Sequence, residues 1–109
     1  MKDYSKVKFI KISDNNDPKN FYIDVTIMKD PRLRISALKG QFMRYLDTGK
    51  LYRDVFDFFE RDYSFCCLEK GVFNNLDDVK KRKQEIIKEQ REKLKDYKPN
   101  IPRGIITFD

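Results

Sequence analysis

The sequence predicts an α+β domain in which a small, mostly antiparallel sheet of three strands is flanked by helices, in the order β-β-α-α-β-α. Two observations carry this prediction. Residues 6–12 and 21–26 alternate apolar and polar side chains, which is typical of half-buried strands. Residues 31–47 and 76–94 place apolar side chains near helical spacing, which indicates two long helices that each pack one side against a core.

The first two strands are expected to pair as an antiparallel hairpin. Val7, Phe9 and Lys11 should share one face of the first strand, while two isoleucines occupy the other face. Residues 13–20 are dense in Asp, Asn and Pro, so they are expected to form the connecting loop.

The first helix should begin where Asp30 precedes Pro31, because an aspartate suits the N-cap and a proline suits the first helical position. Arg34 then lies in its first turn, close to the end of the second strand. The predicted apolar stripe of this helix consists of Leu33, Ala37, Leu38, Phe42, Tyr45 and Leu46.

Residues 51–59 are interpreted as a second, shorter helix. Residues 63–69 follow as the third strand, whose nearly continuous apolar run predicts cover on both faces. Cys66 and Cys67 are neighbours in this strand and point to opposite faces, so a disulfide between them would be strained. We expect both cysteines to be reduced and to serve as packing residues.

The last helix should be capped by Asn75 or by Asn74 before it. Its inward stripe includes two polar residues, Lys83 and Gln90, whose presence on a core-facing stripe needs a reason. Residues 1–100 are predicted to form a single domain. The apolar tail at residues 101–109 is expected to add an edge strand or to dock on a protein assembly partner.

The chain is basic, with 24 Lys and Arg against 18 Asp and Glu, and it contains no histidine. The positive excess is concentrated in residues 79–98, which favours a polyanionic partner such as nucleic acid. The absence of histidine excludes Ser-His and Cys-His catalytic arrangements. No apolar stretch is long enough for a membrane span, and the first dozen residues lack the apolar run of a signal peptide. Two reduced cysteines fit an intracellular, reducing setting or the interior of a virion.

The order of elements and several short strings together resemble the GIY-YIG nuclease domain superfamily, over roughly residues 6 to 100. The strings resemble the family's motifs in order and spacing. They are FIKI (9–12), YIDVT (22–26), LRI (33–35), LY (51–52) followed by Val55 and FCCLE (65–69), RKQEII (82–87) and YKPN (97–100).

The resemblance implies phosphodiester hydrolysis, with a tyrosine pair and an arginine around the scissile phosphate, a histidine nearby and one glutamate that holds a divalent metal. A divalent metal lowers the pKa of its bound water and offsets the phosphate charge, while arginine offers a bidentate fork to phosphate oxygens. The family occurs in phages and large DNA viruses as well as in cells, so the resemblance also allows a packaged virion component.

Only part of this set is retained when the motifs are carried over to this chain. Tyr22 and Arg34 match the family's second tyrosine and its arginine, and Asn100 matches the closing asparagine. The remaining positions differ in a way that removes the proton donor, the histidine and the metal ligand. The first tyrosine falls on Ile10, a motif glycine on Asp24, the histidine on Leu38 and the glutamate on Lys83.

Two carboxylates are candidate replacements for the missing metal ligand. Glu85 lies two residues beyond Lys83, about 200° around the helix, which points it away from the inward stripe. Asp24 shares a strand face with Tyr22 and is the better placed of the two. We predict instead that Lys83 contacts Asp24 or Tyr22 in place of a metal.

These features predict a catalytically degenerate, nuclease-like domain that serves as a non-enzymatic binding or structural module, without a cofactor. The predicted contacts to nucleic acid are Arg34, Lys80, Lys81, Arg82, Lys83 and Asn100. The alternative is an active endonuclease that uses Mg²⁺ or Mn²⁺ with altered ligands, with Tyr22 and Arg34 as catalytic residues. Each of these residues also has a structural interpretation, as a packed aromatic, a paired arginine or a solvated helix face.

Overall fold

A computed structural model describes residues 4–95, so the predicted tail at 101–109 and Asn100 lie outside the described residues. The fold is α+β in the predicted order, with an antiparallel sheet of three strands. After a short 3₁₀ turn at Tyr4–Lys6, the elements are β1 (Val7–Asp14), β2 (Asp17–Thr26), α1 (Pro31–Thr48), α2 (Phe56–Phe59), β3 (Tyr63–Gly71) and α3 (Leu76–Leu94). No helix within residues 4–95 is long and apolar enough to cross a membrane.

The sheet has the order β2-β1-β3 and separates the core into two parts, because helices cover both of its faces. The central strand β1 contributes side chains to both parts. Ile10 and Ile12 are fully buried on the face that packs against α1 and α2. Val7 and Phe9 are fully buried on the opposite face, against α3. Lys11 shares that second face, and its Nζ donates a hydrogen bond of 2.9 Å to Oε1 of Gln90 on α3. This bond gives the inward-facing Gln90 the partner that its position requires.

The prediction of a long loop at residues 13–20 is wrong, because β1 and β2 are joined by a turn of only two residues, Asn15 and Asn16. The Asp14 carboxylate accepts a 2.8 Å hydrogen bond from the Asn16 backbone N–H, which closes the turn. Pro18 is tolerated in β2 because this strand lies at the edge of the sheet, where a missing donor is not costly.

The apolar stripe of α1 differs from the prediction at its ends. Leu38 and Phe42 are buried as expected, and Ile35 is buried with them. Leu33 and Leu46, which the predicted stripe includes, are exposed. The helix buries the narrower face centred on Leu38, since only its middle turns lie over the sheet and α2.

The predicted second helix is much shorter than expected, because only Phe56–Phe59 is helical. Leu51 adopts the left-handed backbone conformation (φ 59°), which no α-helix can include, and its side chain is exposed. Phe56 is buried at the centre of an aromatic cluster. Its ring centroid lies 5.5 Å from those of Phe42 and Tyr45 and 6.0 Å from that of Tyr52.

The phenol of Tyr52, at the rim of this cluster, is expected to titrate late. A hydrogen bond to the Asp57 carboxylate raises the pKa of Tyr52 to about 12. Because the pKa of Tyr52 is raised in the folded state, its bond to Asp57 stabilises the fold fully below pH ~10, the ordinary pKa of tyrosine. This contribution to the free energy of unfolding is lost as the pH rises through the pKa of Tyr52 in the folded protein. In a stopped-flow pH jump, the phenolate absorbance difference between wild type and Tyr52→Phe should have its midpoint near the raised value. A midpoint at the ordinary tyrosine pKa would contradict the bond.

The prediction that β3 is covered on both faces is wrong, because side chains on each face of this outer strand are exposed. Phe65, Cys66 and Cys67 are exposed. Both thiols are free, as expected, but their exposure means that they are not packing residues. An apolar run indicates a strand, yet it does not show whether enough helix is present to cover it, and here the helices lie over the other two strands.

Candidate functional site

Tyr22 and Asp24 lie on the face of β2 that looks towards α1. The antiparallel register places Tyr22 opposite Ile12 and Asp24 opposite Ile10, so both share the face of the α1 core. The start of α1 determines the position of Arg34, which lies in the first turn of this helix. The N-cap of α1 is Asp30, whose side chain accepts a hydrogen bond of 2.9 Å from the Arg32 backbone N–H.

Arg34 and Asp24 form a bidentate ion pair. The Nε of Arg34 donates to Oδ2 of Asp24 at 2.7 Å, and its Nη2 donates to Oδ1 at 3.3 Å. Asp24 is 5% exposed, and this hydrogen bond raises the pKa of the Arg34 guanidinium. A phosphate would use the same pair of parallel N–H donors. The Asp24 carboxylate therefore occupies the guanidinium fork that the resemblance would assign to a scissile phosphate.

Lys83 approaches the same site from the other side of the sheet edge. Its Nζ lies 5.9 Å from the ring centroid of Tyr22, within the range of a cation–π contact. The predicted Lys83–Tyr22 contact is thus confirmed, while Asp24 pairs with Arg34 instead of Lys83. The Tyr22 ring also packs against Phe58, at 6.4 Å between centroids. The aromatic side chain therefore bridges β2, α2 and α3.

Ile10 and Leu38 lie in the interior next to this site. Both are fully buried, and both belong to the apolar cluster formed by β1, α1 and α2. The two positions that the resemblance would align with a tyrosine and a histidine are therefore aliphatic core residues in this chain. Polar groups introduced there would need hydrogen-bond partners that an apolar cluster does not offer.

Arg82, predicted to contact nucleic acid, is held by three carboxylates. Its Nε and Nη2 donate to Glu69 at 2.7 and 2.5 Å, and its Nη1 donates to Glu85 at 3.2 Å and Glu89 at 2.9 Å. The hydrogen bonds raise the pKa of Arg82, and the same bond to Arg82 lowers the pKa of Glu69. Glu85, one of the two candidate metal ligands, thus serves as a partner of Arg82.

The Arg82–Glu69 pair was not predicted, because it depends on an irregularity in β3. Phe9 of β1 lies opposite Glu69 and Ile10 lies opposite Cys67, so Leu68 is an extra residue in the ladder. This bulge turns both Leu68 and Glu69 towards α3. The spacing of Glu85 and Glu89 after Arg82 is visible in the sequence and is the one clue to the cluster.

Lys80 and Lys81, which are predicted to contact nucleic acid, are exposed on α3. Lys88 and Arg91, which the sequence analysis did not select, are exposed on the same helix. None of the four is ion-paired with a carboxylate of residues 4–95. Helical spacing could have identified the two missed residues, because they follow Lys81 at intervals of seven and ten positions.

Within the described part of the chain, no three His, Cys, Asp or Glu side chains are grouped so that they could hold a metal ion. Comparison with models of known families, with curated proteins and with solved structures returned no match to this chain. The likeness to GIY-YIG domains therefore rests on the motifs and on the order of the elements.

Proposed function

We propose that this protein is a catalytically degenerate, GIY-YIG-like domain that binds nucleic acid without reading its sequence, through the exposed side of α3. The observation that carries the proposal is a row of basic side chains on that helix. We define the basic row as Lys80, Lys81, Lys88 and Arg91, all exposed and none paired with a carboxylate of residues 4–95.

The geometry of an α-helix aligns the basic row along one side. With 3.6 residues per turn, its four members and Gln84 fall within a sector of about 100°. The row extends about 16 Å along the helix axis, from Lys80 to Arg91, at 1.5 Å per residue. Beyond it, Lys19 of β2 donates from Nζ to the Lys95 carbonyl at 3.5 Å, which adds a cation near the far end. A linear set of unpaired cations suits a phosphate backbone.

The positions that the family uses for cutting support binding rather than hydrolysis. Arg34 is engaged by Asp24, and Ile10 and Leu38 are buried in the core. Arg82 is engaged by Glu69 and two further carboxylates. Of the cations predicted to contact nucleic acid, Lys80 and Lys81 remain available on the exposed side of α3, and lysine and arginine contacts to phosphate carry no sequence information.

Binding should be salt-dependent and should weaken when the basic row is neutralised. We expect the triple variant Lys81→Gln, Lys88→Gln, Arg91→Gln to bind a short DNA duplex at least about tenfold more weakly near 0.1 M salt. The slope of log K against log salt should become shallower by about 0.9 for each phosphate that the variant no longer neutralises. Fluorescence anisotropy with labelled duplexes of two unrelated sequences measures both quantities, and the two duplexes should bind alike.

The matched control removes the same charge from other exposed positions, Lys6→Gln, Lys29→Gln and Lys70→Gln. Equal losses of affinity in the two triple variants would show that net charge, rather than the basic row, is responsible, and would contradict the proposal. Nicking of supercoiled plasmid with Mg²⁺ or Mn²⁺ that disappears in Tyr22→Phe or Arg34→Ala would favour an active endonuclease instead. Absence of DNA binding, with partner binding abolished by deletion of residues 104–109, would favour an assembly role for the tail.

A further inference from the structure

A second basic site lies away from α3, in the cleft between the end of α1 and the segment that leads into α2. This α1–α2 cleft has a volume of about 650 Å³. Its lining consists of Gln41, Arg44 and Thr48 from α1 and of Lys50, Leu51, Tyr52 and Arg53 from the connection. The volume falls within the usual range of small-molecule sites.

The charge of the cleft has one sign. Arg44, Lys50 and Arg53 line it, and no carboxylate does. None of the three is ion-paired with any Asp or Glu of residues 4–95. Arg53 is positioned by a neutral group, since its Nη1 donates to Oε1 of Gln41 at 3.1 Å. Three cations that line one cleft, with no carboxylate in its lining, favour an anionic ligand.

The end of α1 does not oppose such a ligand as strongly as a bare helix C-terminus would. The Gly49 backbone N–H donates to the Tyr45 carbonyl at 2.7 Å, which closes the helix with a left-handed glycine. The Thr48 hydroxyl donates to the Arg44 carbonyl at 2.9 Å. The bond from Gly49 occupies the Tyr45 carbonyl, which is one of the last four carbonyls that carry the partial negative charge of the helix end.

One wall of the cleft is apolar and aromatic. Tyr52 is 49% exposed, while its ring is supported by edge contacts with Tyr45 and Phe56. Leu51, at the rim, is 88% exposed. A rigid aromatic ring that is half accessible offers a surface for a planar group, because base–aromatic stacking tolerates any base. The side-chain amide N–H groups of Gln41 add polar donors beside that wall, since only its Oε1 is used by Arg53.

We propose that the α1–α2 cleft binds a nucleoside 5′-phosphate, with the base against Tyr52 and the phosphate between Arg44, Lys50 and Arg53. An inorganic anion would use the cations but leave the aromatic wall unused. An apolar ligand would use the wall but cover three charged groups without compensation, which is costly. The ligand has two sources with the same chemistry, a free nucleotide or the phosphorylated 5′ end of a nucleic-acid strand.

Calorimetric titration of the full chain with adenosine 5′-monophosphate, adenosine and inorganic phosphate tests the proposal. We expect the nucleotide to bind at least tenfold more tightly than either fragment. The double variant Arg44→Gln, Lys50→Gln should weaken nucleotide binding at least tenfold, and Tyr52→Leu should weaken binding of the nucleotide but not of phosphate. The charge-matched control Lys29→Gln, Lys70→Gln should leave both unchanged.

Two further ligands separate the sources. A pentanucleotide with a 5′ phosphate that binds more tightly than the nucleotide, and that weakens when the phosphate is removed, would identify a strand end; equal affinity would identify the free nucleotide. Phosphate binding as tightly as the nucleotide, phosphotyrosine binding more tightly, or unchanged binding in the cleft variants would overturn the proposal. The triple variant of the basic row should bind the nucleotide with the affinity of the wild type. The nucleotide site in the cleft and the nucleic-acid surface on α3 can therefore be contradicted separately.

Discussion

Replacing Asp24 with alanine is expected to lower the free energy of unfolding by about 3 kcal/mol, measured by urea denaturation near neutral pH. The carboxylate is 5% exposed and accepts two hydrogen bonds from Arg34, whose side chain is itself mostly buried. Removing one member of such a pair leaves the other charge poorly solvated, which costs more than the pair contributes as a whole. The loss should be smaller in an Arg34→Leu background, because no stranded guanidinium then remains.

The chain offers a matched control for this experiment in the exposed pair of Arg32 and Asp30. Arg32→Ala removes an ion pair of similar length but keeps the backbone N–H that Asp30 caps, so the expected cost is only about 0.5 kcal/mol. If Asp24→Ala cost no more than Arg32→Ala, the Arg34–Asp24 pair would be a surface contact. Asp24 would then not close the guanidinium fork against a phosphate.

The elements that the sequence predicted well are those whose periodicity reflects a single buried face. The hairpin strands, α1 and α3 all alternate or repeat against a core, and α1 also begins at a cap that is recognisable from Asp30 and Pro31. The interpretation of Lys11 followed from the same periodicity. Lys11 was predicted to share a strand face with Val7 and Phe9, and the structure packs that face against α3, where Gln90 accepts its hydrogen bond.

The parts that could not be predicted depend on what lies across the sheet. Turn-forming residues such as Asn20 and Pro18 can extend an edge strand, so composition alone overestimated the loop. The apolar run of β3 is a strand at the edge, and nothing local distinguishes it from a covered one. The bulge at Leu68, which directs Glu69 to Arg82, arises from the pairing register between two strands about 60 residues apart in the chain.

Which cation pairs with Asp24 could not be predicted from local sequence either. Lys83 was expected near Tyr22 or Asp24, and the structure places it against Tyr22 because Arg34, one turn into α1, reaches Asp24 first. The sequence alone does not show whether the Asp24 carboxylate pairs with Arg34 on α1 or with Lys83 on α3. The distance across the sheet edge, which only the fold provides, decides which cation it binds.

Leu38→Ala is expected to lower the free energy of unfolding by about 3 kcal/mol, because a fully buried leucine loses both its transfer energy and its packing. Leu33→Ala, the same substitution about one and a half turns earlier in α1, should change it by less than about 0.5 kcal/mol, since Leu33 is 57% exposed. Urea denaturation of the two variants compares them directly, with helix propensity held the same.

Leu38 stands where the GIY-YIG resemblance places a histidine, so the stability of this position bears on function. If the position is core, as its full burial in the cluster that also holds Ile10 and Phe42 indicates, Leu38→His should destabilise the fold at least as much as Leu38→Ala. The imidazole would lose hydration without gaining a partner, and lowering the pH towards 6 should increase the loss as the ring is driven to protonate. A stable Leu38→His variant with an accessible, normally titrating imidazole would instead show that the nuclease-type surface is still open at this position.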